Sequence, residues 1–484
     1  MKKIYPTELI DFLQCRHITT LKKQGVEEEE VLSEEVELLR QKGLEHEKAF
    51  LDSLEGEVVQ IDLDIPQAEQ KKLTAEALEA GADYIYQAYL ENDRIAGYPD
   101  FLEKISKPSQ LGEYSYAVLD TKLANRPSPA NAVQLIHYSE IAKEMQGTEL
   151  NKLEIVHGDN SRTKIKKADY FEYYIELLDE YEAFIKGNEV TEPFPIAHCR
   201  HCRYQKHCKS YWLEKDHLAG IKNIKISQVS TLNEAEIKNV SSLGSAQYKE
   251  SFGLPRSQFE DLKSQAKSQL NLEICVRDPS AFVALKHLKS GGVLLTLFHN
   301  IQKDNGAAVF YAGLKTFPGE RFEEIFINDR ESEKEAFQRL ISFIVRYIDK
   351  RPGSRVVVWS GASIKMIHDL SNSHNICHDE VDSLIFDKKL FSLQSLIHNA
   401  LYTPNENNSL QSMNGLFCGD KDKIEKLDKS PQILKELFIS AGVKNAESLI
   451  SERARIELES VELLAKKFSD YEIGDFPVKL SLEN

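Results

Sequence analysis

The stretch 115-SYAVLDTKLA-124 places an acid and a lysine inside an otherwise apolar strand pattern, and it decides the fold prediction. Side chains two residues apart on a strand point to the same face of the sheet, so Asp120 and Lys122 should project together. A carboxylate beside a lysine at a strand end suits metal-assisted hydrolysis of a phosphodiester. The acid binds a divalent cation, and the ammonium positions the attacking water or stabilises charge on the phosphate. Since a D-x-K pair alone is common on protein surfaces, the interpretation depends on its neighbours.

Four neighbouring residues support a site at this strand. Asp100 lies twenty residues before Asp120, where a hairpin would bring a second carboxylate to the same ion. His46, on a predicted helix, offers an imidazole ligand. Gln134 and Tyr138 are four residues apart on one helix face, so both could hydrogen-bond a phosphate or the attacking water. Each of these residues also has a purely structural interpretation, and only the ordered set argues for a site.

A cysteine cluster follows in 198-HCRHCRYQKHC-208, with the spacing C-x2-C-x5-C at Cys199, Cys202 and Cys208. Thiolates at such spacing can converge on one soft metal centre. The other cysteine in the first part of the chain is Cys15, and an iron–sulfur cluster held by all four would join the two ends of that domain. A zinc site with three cysteines and a neighbouring histidine is the alternative, and the residues alone leave both open.

Length and composition limit the classes of protein. The 484 residues are 41% hydrophobic and 29% charged, which predicts two or three folded domains. The absence of an apolar run of ~18 residues and of a signal peptide predicts a soluble, cytoplasmic protein with no membrane segment. A net charge of −16 disfavours non-specific binding to polyanions, so a nucleic-acid partner would need a local basic surface or metal ions. The acid run Glu27–Glu30 is predicted to be solvated and to contact nothing.

The order of helical and strand patterns predicts three regions. Residues 1–217 form a mixed α/β domain, with helices expected over 7–24 and 66–90. Residues 218–270 form a helical connector that weakly resembles a helix–hairpin–helix, a module that binds nucleic-acid backbones. The remaining region, 271–484, is a second α/β domain, with strands at 291–301, 307–314 and 355–362 and a helix at 331–349.

The complete motif order resembles a known family. That order is a helix with His46, G-x-x-D at 97–100, D-x-K at 120–122 and Q-x-x-x-Y at 134–138, enclosed by one upstream cysteine and C-x2-C-x5-C. It is similar to the iron–sulfur members of the RecB-like PD-(D/E)XK nucleases, which have a restriction-endonuclease-like fold. The phrases 119-LDTKLA-124 and 197-AHCRHC-202 further resemble RecB-like nucleases that carry an RNase H-like domain after the nuclease domain. The resemblance is specific over the first ~215 residues and weaker afterwards.

The resemblance implies a role for each motif residue. Mg²⁺ or Mn²⁺ would be bound by Asp100, Asp120, His46 and the backbone carbonyl of Thr121. Lys122 would be the catalytic lysine, with Gln134 and Tyr138 in supporting roles. A structural 4Fe–4S cluster, favoured over zinc, would be bound by Cys15, Cys199, Cys202 and Cys208. DNA, single-stranded or at its ends, is the implied substrate in repair, recombination or defence, and a helicase or another subunit of such a system is the implied partner.

The second domain departs from this family pattern. An active RNase H-like exonuclease carries D-x-E on its first strand to bind two metals, but no acid occurs from Pro279 through Lys303. Later acids such as Glu457 cannot replace that pair. We therefore predict a degenerate RNase H-like domain that is catalytically inactive and serves as a binding surface. The alternative for the whole chain is a non-catalytic iron–sulfur subunit that binds DNA or acts as a scaffold in a helicase–nuclease complex.

Overall fold

The computed structural model describes most of the chain, in ten segments. These are residues 3–29, 34–124, 126–149, 153–300, 306–319, 321–405, 407–417, 420–428, 430–435 and 446–480. The chain divides into two compact units, Met1–Lys206 and His207–Asn484. Both units mix helices with strands, which confirms the predicted α/β class. Among the helices within the described segments, none combines the length and apolar character that crossing a bilayer requires.

The first unit is built around a mixed sheet. Its helices are α1 (Pro6–Gln14), α2 (Arg16–Lys23), α3 (Glu34–Asp52), α4 (Gln67–Ala80), α5 (Pro129–Gln146) and α6 (Phe171–Lys186). Its strands are β1 (Val58–Gln60), β2 (Tyr84–Tyr86), β3 (Leu90–Glu91), β4 (Ala96–Gly97), β5 (Phe101–Ile105), β6 (Ser115–Lys122), β7 (Leu153–His157) and β8 (Arg162–Ile165). The sheet order is β1-β2-β5-β6-β7-β8, while β3 and β4 form a separate two-stranded pair.

Strand β6, which carries the D-x-K motif, lies near the middle of this sheet. It pairs antiparallel with β5 and parallel with β7. Alternate side chains of β6 enter different cores: Val118 packs in the larger core with Ile136 of α5, and Leu119 packs with Phe50 of α3. Helices α3 and α5 therefore cover opposite faces of β6, and the end of this strand is enclosed between them.

Two helix predictions for this unit are wrong, and in each case the conformation of one residue is the cause. The helix expected over 7–24 is divided into α1 and α2, because Cys15 between them is extended, with φ −161° and ψ 108°. The helix expected over 66–90 ends at Ala80, because Gly81 adopts a left-handed conformation with φ +74°. Glycine favours that conformation, which ends helices, and the chain then enters β2.

The second unit begins with short helices and continues into another sheet. Helix α7 (Gln205–Glu214) starts in the last residues of the first unit. The helices that follow are α8 (Ile226–Glu234), α9 (Val240–Ser245), α10 (Arg256–Asn271), α11 (Pro279–Lys286), α12 (Arg330–Asp349), α13 (Gly361–His374), α14 (His378–Phe386), α15 (Leu393–Ala400), α16 (Leu410–Phe417), α17 (Lys421–Asp428) and α18 (Ala446–Asp470). The strands are β9 (Glu273–Val276), β10 (Gly292–His299), β11 (Val309–Phe317), β12 (Phe322–Phe326), β13 (Arg355–Val358), β14 (Leu390–Ser392), β15 (Leu401–Tyr402) and β16 (Val478–Lys479).

The larger sheet of this unit has the order β12-β11-β10-β13-β14. Strand β11 pairs antiparallel with both β10 and β12, whereas β13 pairs parallel with β10 and β14 pairs parallel with β13. The three predicted strands correspond to β10, β11 and β13, and the predicted helix corresponds to α12. A second sheet joins β9 to β15 and β16. Since β9 follows α10 directly, the end of the predicted connector is continuous with the second α/β region.

Candidate functional site

The strand register brings the two predicted acids together at the end of β6. Phe101 of β5 lies opposite Leu119 of β6 in an antiparallel pair. Asp100 and Asp120 are the next residues at this end of the two strands, so they are neighbours. One carboxylate oxygen of Asp100, Oδ2, accepts hydrogen bonds from the Thr121 backbone N–H at 2.8 Å and from its hydroxyl at 2.9 Å. Asp100 is thereby fixed beside the strand that carries Asp120.

The carboxylate of Asp120 has an unusual environment. It is fully buried, and neither of its oxygens accepts a hydrogen bond from the residues that the structure describes. Lys122 Nζ lies 2.5 Å from Asp120 Oδ2, as an ion pair without the angles of a hydrogen bond. Burial raises the pKa of Asp120 well above its usual range, and the charge of Asp100 acts in the same direction, against Lys122. Buried polar atoms normally have partners, so these two oxygens mark a place for a ligand.

A third carboxylate, which the sequence analysis missed, interacts electrostatically with Asp100 and Lys122. Glu47 of α3 accepts hydrogen bonds at Oε1 from Tyr86 Oη, at 2.9 Å, and from Gln87 Nε2, at 2.7 Å. Burial raises the pKa of Glu47, and Asp100 adds to that rise. The signal was in the sequence: Glu47 precedes Phe50 and Leu51 by three and four residues, and both pack on the sheet. That spacing defines one helix face.

His46, the neighbouring residue, makes a different contact. Its Nε2 lies 3.3 Å from the carbonyl oxygen of Val156 on β7. Its role as a metal ligand stays a prediction, as does that of the Thr121 carbonyl. The N–H and the hydroxyl of Thr121 both donate to Asp100, and Thr121 is paired with Val156 in the ladder between β6 and β7.

Lys122 remains charged in this environment. Burial acts to lower the pKa of Lys122, but the carboxylates of Asp120, Asp100 and Glu47 outweigh it and raise that pKa. The ammonium is therefore protonated near neutral pH. A fixed positive charge beside buried carboxylates can stabilise negative charge that develops on a phosphate.

The predicted Gln134–Tyr138 pair is also formed. Gln134 Nε2 donates to Tyr138 Oη at 3.3 Å. Burial raises the pKa of Tyr138, and the charges of Asp120 and Asp100 raise it further, so the phenol keeps its proton. Gly97 explains the glycine of the G-x-x-D motif, because a Cβ at that position would lie 2.4 Å from Tyr138 Cε1. The glycine allows the tyrosine ring to approach the acid pair.

These side chains can be tested for their fit to Mg²⁺ or Mn²⁺. Within the described segments, no group of three or more His, Cys, Asp or Glu side chains is placed so that it could hold a metal ion. The donor chemistry does fit: carboxylate oxygens are the ligands that these hard cations prefer. Asp120 Oδ1, which accepts no hydrogen bond in the described structure, and Oδ2, which forms an ion pair with Lys122, are the atoms that a cation would contact.

Three of the four predicted cluster cysteines lie near one another. The thiol of Cys15 interacts electrostatically with Cys199, and that of Cys202 interacts with both. Backbone N–H groups point at all three sulfurs. Those of His17 and Ile18 act on Cys15, and single donors lie 3.4 Å from Cys199 Sγ and 3.5 Å from Cys202 Sγ. Such N–H···S bonds stabilise thiolates and tune iron–sulfur sites. The donor chemistry therefore suits a cluster, while in the described structure the three thiols are not placed close enough together to hold a metal ion.

The extended residue at Cys15 has a physical reason. By leaving the helical conformation, it becomes the N-terminal cap of α2, and the first N–H groups of α2 act on its sulfur. Burial raises the pKa of the Cys15 thiol, and these backbone donors oppose that rise. Cys208, the fourth predicted ligand, is on α7 in the second compact unit, and its role stays a prediction.

The acid run predicted to contact nothing instead packs against the cysteine segment. Glu28 pairs with Arg203 at 3.1 Å, and the Glu29 N–H donates to the Arg203 carbonyl at 2.9 Å. Arg203 also forms two hydrogen bonds to Asp11 of α1, at 3.0 and 3.1 Å. The prediction that this run contacts nothing is therefore wrong for Glu28 and Glu29, whose partners are distant in sequence, although Glu28 is exposed as predicted. These contacts hold α1 against the segment that carries Cys199 and Cys202.

In the second unit, the central strand β10 carries no acid. Thr296, at its middle, donates a hydrogen bond from its hydroxyl to Glu457 Oε1 at 2.6 Å. The other oxygen of Glu457 pairs with Arg453 Nη1 at 2.9 Å. A hydroxyl and a guanidinium, rather than a second carboxylate, thus surround this acid. Both oxygens of Glu457 therefore have partners within the protein, and Arg453 balances its charge.

Comparison with known proteins adds no family assignment. No protein-family model matches the chain, and no curated protein matches it significantly. The resemblance of its motifs to the RecB-like nucleases therefore stays a prediction. The functional argument depends on the geometry of the residues themselves.

Proposed function

We propose that the first unit is a Mg²⁺- or Mn²⁺-dependent nuclease that hydrolyses phosphodiester bonds of DNA, in single strands or at ends. The observation that carries the proposal is the carboxylate of Asp120, which is fully buried, lacks hydrogen-bond partners in the described structure and lies beside Asp100 and Lys122. The ammonium of Lys122 offsets one buried negative charge, but the carboxylates of Asp120 and Asp100 lie beside it together, and buried charge without full compensation is costly. A hard cation offsets that cost, which gives the arrangement a reason to exist.

Each residue of the site then has a chemical role. A bound cation would polarise a phosphoryl oxygen and lower the pKa of a coordinated water. Asp120 and Asp100 would hold the cation, with Glu47 as the third carboxylate. Lys122, which stays protonated, supplies positive charge next to the reacting phosphate.

Gln134 and Tyr138 would position the substrate. Tyr138 keeps its proton because burial and the two acids raise its pKa. Its hydroxyl can therefore donate to a phosphate oxygen, while Gln134 orients that hydroxyl through the 3.3 Å bond. The close approach of the ring to Gly97 keeps this donor near the acid pair.

The proposal includes a structural 4Fe–4S cluster bound by Cys15, Cys199, Cys202 and Cys208. Its support is the electrostatic interaction among three of the thiols and the backbone N–H groups that donate to their sulfurs. The cluster would connect the start of the first unit with its end and need not change oxidation state. Four iron atoms per chain and a brown colour after anaerobic purification are expected, whereas a colourless chain with one zinc would contradict this assignment.

For the second unit we propose a non-catalytic role in binding DNA or a partner subunit, such as a helicase. On one side of β10, the strands β11 and β12 continue the sheet by antiparallel pairing, and on the other side β13 and β14 continue it by parallel pairing. This order is consistent with the RNase H-like prediction. Glu457 accepts a hydrogen bond from Thr296 and forms an ion pair with Arg453. Removing that acid should therefore leave cleavage by the first unit unchanged.

The decisive experiment is a cleavage assay on the anaerobically purified full chain. End-labelled single- and double-stranded DNA are incubated with Mn²⁺ or Mg²⁺, for the wild type, Asp120→Asn and Glu79→Gln. Loss of the carboxylate charge should reduce the rate at least ~100-fold, while Glu79, an exposed acid on α4, should not matter. Metal-dependent cleavage that survives Asp120→Asn unchanged would refute the site. DNA binding without cleavage by the wild type would instead support the scaffold alternative.

A further inference from the structure

A pair of tyrosine rings, Tyr5 and Tyr98, has no part in the proposed chemistry; their chain neighbours are Pro6 and Gly97, and Gly97 lies against both Pro6 and Tyr138. The rings of Tyr5 and Tyr98 are nearly parallel, with an interplanar angle of 14° and a centroid separation of 6.5 Å. Both side chains are half-buried, and a third ring, Tyr89, is buried behind Tyr98 at 5.1 Å. The two half-buried rings form what we call the tyrosine pair.

The position of the tyrosine pair is set by backbone pairing. The Ala96 N–H donates to the Ile4 carbonyl at 3.0 Å, so the residues before α1 run beside the strand that leads to Asp100. Tyr98 precedes Asp100 by only two residues. A substrate whose phosphate reached Asp100 would therefore bring its next nucleotide close to these rings.

The hydroxyl groups hold the rings in place. Tyr5 Oη accepts a hydrogen bond from Gln67 Nε2 at 2.9 Å, and Tyr98 Oη donates to Gln70 Oε1 at 2.9 Å. Gln70 is itself buried, and its Nε2 donates to three backbone carbonyls before α4. Because the hydroxyl groups are held by this scaffold and Tyr89 packs against Tyr98, the part of the two half-buried rings that is exposed to solvent is what remains for recognition.

We infer that the tyrosine pair is a stacking site for an unpaired nucleobase of the DNA strand next to the cleaved phosphate, an inference that rests on the proposed nuclease function. Parallel rings favour a flat aromatic ligand in one orientation. Stacking on aromatic side chains is a common way to bind single strands without sequence preference. It also suits a chain with a net charge of −16, which cannot depend on long-range attraction to phosphates. Bases in a duplex hide their faces, so the site selects single-stranded DNA.

The test measures binding apart from cleavage. The full chain carrying Asp120→Asn is titrated with a short fluorescent oligothymidine and with a duplex of equal length. Tyr5→Ala and Tyr98→Ala should each raise the Kd for the single strand about 5- to 150-fold, from the usual contribution of one stacked base. Duplex binding should not change. Tyr173→Ala, an exposed tyrosine on α6, is the matched control and should bind like its parent.

Conservative variants separate stacking from a structural effect. Tyr98→Phe keeps the aromatic face and should bind within about threefold of its parent, whereas Tyr98→Leu keeps apolar bulk and should bind as weakly as Tyr98→Ala. Equal single-strand binding by the parent, Tyr98→Leu and Tyr98→Phe would overturn the stacking site and leave the nuclease proposal intact. Failure of the wild type to cleave any DNA, together with failure of all variants to bind it, would overturn both.

Discussion

Gly97→Ala should destabilise the first unit, although its backbone conformation suits any residue. The added Cβ would lie 2.4 Å from Tyr138 Cε1, 3.1 Å from its Cδ1 and 3.3 Å from Pro6 Cδ. The first distance is shorter than two carbon atoms tolerate, so either the ring or the strand must move. Overpacking of this kind costs about 1–3 kcal/mol, and the displaced ring should also slow cleavage.

A matched glycine-to-alanine substitution elsewhere in the first unit should change the free energy of unfolding in the opposite direction. Gly43 lies inside α3, and a Cβ there would meet only Leu123 Cδ1, at 4.0 Å. Gly43→Ala should therefore stabilise the chain by about 0.5–1 kcal/mol, because alanine restricts the unfolded chain and favours the helix. Denaturant unfolding followed by circular dichroism measures both changes. Since the chain has two compact units, the fit allows two transitions, and the changes should fall on one of them.

A double-mutant cycle identifies the clash as the cause. Tyr138→Ala alone should cost about 3–5 kcal/mol by leaving a cavity. In the double variant the clash disappears, so the combined cost should be smaller than the sum by about 1–3 kcal/mol. If Gly97→Ala is as stable as Gly43→Ala, or if the two costs simply add, then the explanation of the G-x-x-D glycine is wrong.

Three other predictions concern titration, the metal and the cysteine segment. Burial lowers the pKa of His137 to about 4, so the unfolded chain binds a proton below pH ~6.5 that the folded chain does not. Stability should thus be unaffected above pH ~6.5 and fall by about 1.4 kcal/mol per pH unit as the pH drops towards 4, and His137→Gln should remove that slope in unfolding curves. Glu47→Gln should keep the fold but shift the Mn²⁺ dependence of cleavage to about 10- to 100-fold higher concentration, and an unchanged Mn²⁺ titration would exclude Glu47 from the site. Asp11→Ala leaves Arg203 and Lys22 without their shared partner, so it should speed iron loss to a chelator and cost about 1–3 kcal/mol. Replacement of the exposed Arg40, which pairs with Glu37 on its own helix, should do neither.

Local sequence signals predicted the acid pair well. The alternation in β6 placed Asp120 and Lys122 on one face, and the spacing to Asp100 anticipated the hairpin that joins β5 to β6. These features depend on strand geometry alone, which the pattern of apolar residues reveals. The helix face of α5 likewise predicted that Gln134 and Tyr138 would meet.

What could not be predicted depends on contacts distant in sequence or on single backbone conformations. That Glu47 also interacts with Asp100 depends on the rotation of α3 against the sheet, which its packed residues define. Glu28 finds Arg203 across 175 positions of the chain, and no local pattern indicates such a partner. The break at Cys15 arises from one extended residue, which the periodicity of the flanking apolar residues does not register.

Helix α1 is a stiff rod of nine residues, about 14 Å long. At one end, Pro6 lies against Gly97 next to Tyr138; at the other, the chain passes directly into Cys15. If Cys15 binds the proposed cluster, one short helix connects that cluster to the proposed acid site, and we expect oxidative loss of the cluster to disturb the packing around Tyr138. Exposure to air during purification could then change the measured cleavage rates. Preparations made with and without oxygen should be compared before differences between variants are interpreted.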